Sequence, residues 1–203
     1  MGLDVARLIV ATNVNDILAR CLATGRYELR PVVPTQSPSM DIQVSSNFER
    51  LLFEAHDRDG AAVTGLMRDL AHDRAFSLAE PALGSIRSLF AAHRADEAET
   101  ARTMRRVHAE SGYLLDPHSA VGVAAAGREL GSLDPAVPVV TLATAHPAKF
   151  PDAVAAATGM RPALPPHLAD LFEREERVTV LPNDQAAVAR FVEAHAGRER
   201  AVA

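Results

Sequence analysis

The chain of 203 residues has one cysteine, Cys21, no tryptophan, and 4% aromatic residues. Of its 21 basic residues all are arginine but one, Lys149. A lone cysteine leaves no disulfide framework and no cysteine-based zinc site. No apolar run reaches the roughly 18 residues that a membrane-spanning helix needs. Asp4 interrupts the short apolar start, Met1-Gly2-Leu3-Asp4-Val5, so no signal peptide is expected and a reducing cytoplasm is the expected compartment. A net charge of −5 gives no basic footprint, so neither nucleic acid nor membrane is an expected partner. The glycine fingerprints of dinucleotide and phosphate loops, the HExxH zinc motif and the GxSxG nucleophile elbow are all missing. What remains is an ordinary globular composition, 48% hydrophobic and 23% charged, in a chain long enough to bury a core.

Residues 137–142, Val-Pro-Val-Val-Thr-Leu, are β-branched and apolar and read as a buried strand of a parallel sheet. Thr144, His146 and Lys149 follow where such a strand ends, and in open α/β sheets ligands bind beyond the carboxyl ends of strands. Lys149 is either a group that arginine cannot replace or a solvated loop charge. Arg7-Leu8-Ile9-Val10-Ala11-Thr12 reads as another short buried strand. Asn13 and Asp16 then sit on a strand-to-helix turn, as caps or as part of a site, before a helix that Gly25 stops. Pro31, Pro34 and Pro38 mark an extended loop. Ser46-Asn47-Phe48-Glu49 has the spacing of a capping box. Asp96-Glu97-Ala98-Glu99 has the form of another helix start, for a helix that ends near Gly112. The pattern over 45–111, helical throughout, suggests a large helical insertion.

Asp116-Pro117-His118-Ser119 has the form of a helix start, aspartate as cap and proline in the first turn. A metal pair or a fragment of a Ser-His-Asp arrangement would use the same residues, but the cap explains Asp116 and Pro117 without chemistry, and no metal site is assigned. A helix from Pro151 to Gly159, a proline-marked linker, a third strand at 178–181 and a helix capped by Asn183-Asp184 and ending at Gly197 complete the chain. Arg198-Glu199-Arg200 reads as a frayed end. One polar cluster at strand ends is expected, built from Asn13, Ser37 to Gln43, His118 and Thr144 to Lys149.

Four stretches in order, Leu8 to Asp16, Ser37 to Leu51, Gly112 to Gly122 and Leu142 to Phe150, resemble threonine synthase, and the resemblance covers almost the whole chain. Val14 stands where that family usually has an acidic residue, and Ser119 where threonine is commoner. The resemblance implies an α/β protein: part of the parallel sheet of a tryptophan-synthase-like, pyridoxal-phosphate fold. It implies conversion of O-phospho-L-homoserine and water to L-threonine and phosphate. Thr144 matches the hydroxyl that faces the pyridine nitrogen, and His146 and Lys149 match the surroundings of substrate or phosphate. Ser39, Asp41, Asn47 and Asn13 fall in motifs expected to line the substrate pocket, or to serve as turn and cap residues. The family's Schiff-base lysine and glycine-rich phosphate loop belong to its N-terminal half and have no match here. The expectation is therefore the C-terminal part of a longer enzyme, with no catalytic residue of its own, inactive alone and partnered by the missing half. The alternative is a non-catalytic remnant or interaction module that keeps a phosphate-binding surface.

Overall fold

The apolar, β-branched run near the start forms a strand, β1 (Leu8–Thr12), as such residues favour. The turn at residues 13–16 leads into α1 (Ile17–Thr24), which buries Ile17, Cys21 and Leu22 on one face. Asp16 precedes this helix, yet its carboxylate accepts from Arg20 Nε at 2.8 Å instead of capping the first turn. Gly25 ends α1 at φ +76°, and a Cβ there would stand 3.0 Å from Leu83 Cδ2. Both the left-handed backbone and the close approach therefore require glycine.

A computed structural model describes residue 2 and residues 4–196. After α1 come β2 (Arg26–Glu28), α2 (Phe48–Ala55), α3 (Gly60–Asp73), β3 (Ala75–Ser77), α4 (Glu80–Leu89) and β4 (Phe90–Arg94). Strands β1 and β4 pair in parallel, Leu8 opposite Phe90 through Thr12 opposite Arg94. β2 and β3 form a separate antiparallel pair. Tyr27 of β2 stacks between Phe48 and Phe76, with ring centroids 5.6 and 4.8 Å away. Its hydroxyl accepts the Ser45 N–H at 2.8 Å, so the buried phenol is satisfied. These rings join Ile17, Cys21, Leu52 and Ile86 in the main core.

The helices α5 (Glu97–Ser111), α6 (Pro117–Glu129) and α7 (Pro151–Thr158) follow. Asp96 and Asp116 cap the first two as their spacing predicts. Gly112 and Gly159 close α5 and α7 in the left-handed region. Met104, Leu115, Ala120, Val154 and Ala157 form a second core among these helices.

Four sequence expectations need correction. The stretch 45–111 is not purely helical: it contains β3 and β4, and β4 supplies the parallel neighbour of β1. Phe90-Ala91-Ala92-His93-Arg94 follows α4 with no breaker, so only its pairing with β1 makes it extended, a tertiary effect that local pattern does not carry. The capping box at Ser46 does not form; α2 begins after Asn47, whose side chain makes no cap bond. Residues 137–142 and 178–181 form no strand. Val140 is 77% exposed and Leu142 76%, while Val180 is 90% exposed. A strand needs a neighbour to complete its hydrogen bonds, and no described segment supplies one to either run.

By contact the chain divides into two compact units, Met1–Ala163 and Leu164–Ala203. Within the described part of the second, two single 3-10 turns precede α8 (Gln185–His195), which Asp184 caps through the Ala187 N–H. The expected helix end at Gly197 and the arginine-rich tail lie outside the described residues. Among the described residues no helix is long and apolar enough to cross a membrane, and no cluster of side chains could hold a metal ion.

Candidate functional site

Asn13 directly follows β1, is 1% exposed, and uses its side chain to fasten a loop. Its Nδ2 donates to Thr35 Oγ1 at 2.9 Å, Ser37 Oγ at 3.0 Å and Asp41 Oδ1 at 2.7 Å. Its Oδ1 accepts from the backbone and side chain of Asn15. Asn15 in turn exchanges hydrogen bonds with the Val33 backbone and donates to Asp41. Asp41 closes the loop on itself by accepting from Thr35 N and Oγ1. The proline-rich segment thus has no regular secondary structure for most of its length, yet the side chains of Asn13, Asn15, Thr35, Ser37 and Asp41 are all paired. Gln36 Oε1 is buried without a partner among the described residues.

The same loop reaches α6. The Ser39 N–H donates to His118 Nε2 at 3.2 Å. His118 Nδ1 lies 2.9 Å from Asp116 Oδ1, and the Ser119 hydroxyl donates to Asp116 Oδ2. Ser119 Oγ accepts the Thr144 N–H at 3.3 Å. His118 also packs against Phe150, with centroids 4.7 Å apart. Lys149 Nζ lies 6.0 Å from that ring, and its side chain is exposed. His146 accepts the Ala148 N–H through Nδ1 and so holds its own turn. The structure therefore forms two hydrogen-bonded sets, Asn13 with Asp41 and Ser39 with His118 and Thr144 by way of Asp116 and Ser119, which the 37–41 loop connects through its backbone. Lys149 approaches the second set through Phe150. Asn47 makes no side-chain hydrogen bond among the described residues and sits exposed at the start of α2.

An apolar cavity of about 710 Å³ lies beside this cluster, between residues 4–11 and residues 137–144. Met40, His118, Gly122 and Thr144 also line it. A Cβ on Gly122 would stand 2.9 Å from Thr141 Cγ2, so this glycine lets the 137–144 segment lie close against α6. The Thr144 hydroxyl makes no hydrogen bond with described residues, while its backbone N–H is anchored. It can serve a ring nitrogen as donor or acceptor without breaking an existing bond. The donor chemistry thus fits the pyridine side of pyridoxal phosphate.

Sequence reasoning missed Asn15, Thr35 and the linking part of Asp116. The pair Asn13 and Asn15 beside Asp16 offered a signal, since short amide side chains at a strand end often hold neighbouring backbone. Their partners lie 18 to 28 positions away, and no local pattern names them.

A family model described as "Threonine synthase, C-terminal" matches residues 119–192. A threonine synthase from Pseudomonas aeruginosa is 52% identical over 199 residues, covering 98% of this chain and 42% of its own length. A crystal structure of threonine synthase from Brucella melitensis with bound pyridoxal phosphate superposes at a TM-score of 0.86 and 55% identity. It covers 96% of this chain and 41% of that one. The yeast threonine synthase structure gives 0.82 at 33% identity, over 95% of this chain and 42% of its own. The chain spans about two-fifths of the length of these relatives. The chain belongs to the threonine synthase family and corresponds to its C-terminal part.

Proposed function

We propose that this chain supplies the C-terminal part of a pyridoxal-phosphate-dependent threonine synthase that converts O-phospho-L-homoserine and water to L-threonine and phosphate. The observation that carries the reading is 52–55% identity to threonine synthases across nearly the whole chain, with a matching fold. The cofactor, when bound, supplies an electron sink for the carbon chemistry. The Thr144 hydroxyl faces the ring nitrogen, and its anchored backbone supports a fixed position. Lys149 and His146, on one exposed turn, attract the phosphate of the substrate, an ammonium being suited to several phosphate oxygens. Ser39 presents its hydroxyl from a loop that Asn13 and Asp41 hold in place. For Asn47 the support is the sequence motif alone.

The reading assigns no catalytic residue to this chain. Its one lysine lies in the phosphate-side motif, so the Schiff-base lysine comes from the rest of the family's length. The apolar cavity supports the same partner. β1 is paired on one edge only among the described residues, and the β-branched run 137–142 lies across the cavity from it. A strand contributed by the remaining part of the enzyme would complete both. Cytoplasmic location follows from the proposed biosynthetic role.

The test is phosphate release from phosphohomoserine with added pyridoxal phosphate. The 203-residue chain alone gives no turnover; co-expression with the N-terminal part of the Pseudomonas relative restores it. Turnover by the chain alone on the order of 1 per second refutes the division of labour, and an inactive, cofactor-free complemented enzyme refutes the function. In the complemented enzyme Thr144→Val keeps shape and removes the hydroxyl. One buried hydrogen bond is typically worth about 1–3 kcal/mol, so kcat falls roughly 5- to 150-fold. Unchanged kinetics place another residue at the pyridine.

A further inference from the structure

We propose that Asp116, His118 and Ser119 form one hydrogen-bonded relay that sets Ser39 and Thr144 together, making His118 and Ser119 positioning residues for the site. The proposal rests on the reading of Ser39 as substrate-facing and Thr144 as cofactor-facing. Its physical content, the coupling of two loops, does not depend on that reading.

The direction of every bond follows from the donors. The Ser39 N–H can only donate, so His118 Nε2 must carry a lone pair. The imidazole proton is then on Nδ1 and donates to Asp116 Oδ1, which also takes the His118 backbone N–H at 2.9 Å. The Thr144 N–H likewise only donates, so Ser119 Oγ accepts from it and turns its own proton to Asp116 Oδ2. The Ser119 N–H, 3.3 Å from the same oxygen, gives the carboxylate its fourth donor. Asp116 is 1% exposed, Ser119 2% and His118 5%, so water does not replace a lost partner. The carboxylate stands at the amino end of the 13-residue α6, where the helix dipole favours its charge. Loss of the Ser119 hydroxyl leaves Asp116 Oδ2 held by the long Ser119 N–H bond alone, which lets the carboxylate turn further, loosens Oδ1 from Nδ1 and so weakens the hold of the His118 ring on Ser39. Ser119 has no hydrogen bond to Ser39, so an effect there has to pass through Asp116 and His118.

Amide hydrogen exchange followed by mass spectrometry on the full 203-residue chain tests this. Ser119→Ala should raise exchange of peptides covering residues 36–42 about five-fold, the scale of one lost hydrogen bond, together with peptides covering 143–146. Peptides from α5 and α7 should keep their rates. Ser119→Thr, which retains the hydroxyl, should restore the wild-type pattern. Long-range nitrogen–proton correlation should find His118 protonated at Nδ1 and bare at Nε2. Unchanged exchange at 36–42 in Ser119→Ala overturns the coupling. So does a rise spread equally over α5 and α7, which signals general loosening, or the opposite tautomer. An inactive complemented enzyme would refute the proposed function and leave the exchange comparison standing.

Discussion

Replacing Asn13 by aspartate and by alanine separates two costs in the knot that holds the 33–41 loop. The Asn13 Nδ2 stands 2.7 Å from Asp41 Oδ1. Asn13→Asp puts a carboxylate oxygen where the amide donor was. Two full charges at that distance repel by about 6 kcal/mol with an effective dielectric near 20. Protonation caps the penalty, because holding a proton at pH 7 on a group of ordinary pKa about 3.9 costs about 4 kcal/mol. The folded-state pKa of the new carboxyl is therefore raised above its unfolded value. Its penalty is full above the folded pKa and shrinks as pH falls toward the unfolded one. Asn13→Ala removes the donor and leaves the Asn15 N–H without its acceptor, which costs about 1–3 kcal/mol at any pH. Urea unfolding of the 203-residue chain should rank wild type, alanine, aspartate in falling order at pH 7. The alanine–aspartate gap should close by about pH 4.5. Equal stability of the two variants at pH 7, or a gap that ignores pH, would refute this account of the knot.

Burial pushes the Cys21 thiol up to about 11, against small opposing effects of Arg20 and Arg87. A thiol reagent at pH 8 should label it only after unfolding, and rapid labelling of the native chain would mean that the core is open. Glu129 has its pKa lowered, first by its hydrogen bond with His93 and then by that with Arg7. Such a depressed carboxyl adds stability that is present above its unfolded pKa and lost as pH falls through the folded one. Glu129→Gln should flatten the acid side of the stability curve, and an unaltered acid unfolding profile would dismiss the pair as neutral. Gly122→Ala should destabilise by about 1–2 kcal/mol because its methyl meets Thr141 Cγ2 at 2.9 Å. Thr141→Ser in the same chain should recover part of that loss, whereas strict additivity in the double-mutant cycle would deny the contact.

The features read correctly from the sequence are those whose physics is local. Asp96, Asp116 and Asp184 cap their helices because each carboxylate reaches a backbone donor two or three residues ahead. Gly25, Gly112 and Gly159 end helices because φ is positive there. The strands behave differently. β4 has an alanine-rich sequence that continues a helix by pattern, and residues 137–142 have the better strand sequence. Yet β4 is paired and 137–142 is not, because the ladder exists only where a neighbour stands. Pattern measures the fitness of a segment for a sheet and carries no information on whether the sheet reaches it.

Asp116 shows where the same limit falls in the site. Reading it as either a cap or part of a site posed a choice that the carboxylate does not make. Its two oxygens take the backbone N–H groups of His118 and Ser119, which is the cap, legible from Asp-Pro alone. They also take the imidazole and hydroxyl of those same residues. Those side chains have their remaining capacity turned outward, to Ser39 79 positions before and to Thr144 25 positions after. The cap makes the relay possible: by fixing the backbone of residues 118 and 119 it holds their side chains in the direction that reaches both loops. The local half of the motif is therefore legible in sequence, while the long-range bonds of the same side chains are not. The two residues joined there, Ser39 and Thr144, come from segments that no spacing rule connects. The strand-end argument and the family resemblance had both put them in one cluster, but neither named the bonds that join them.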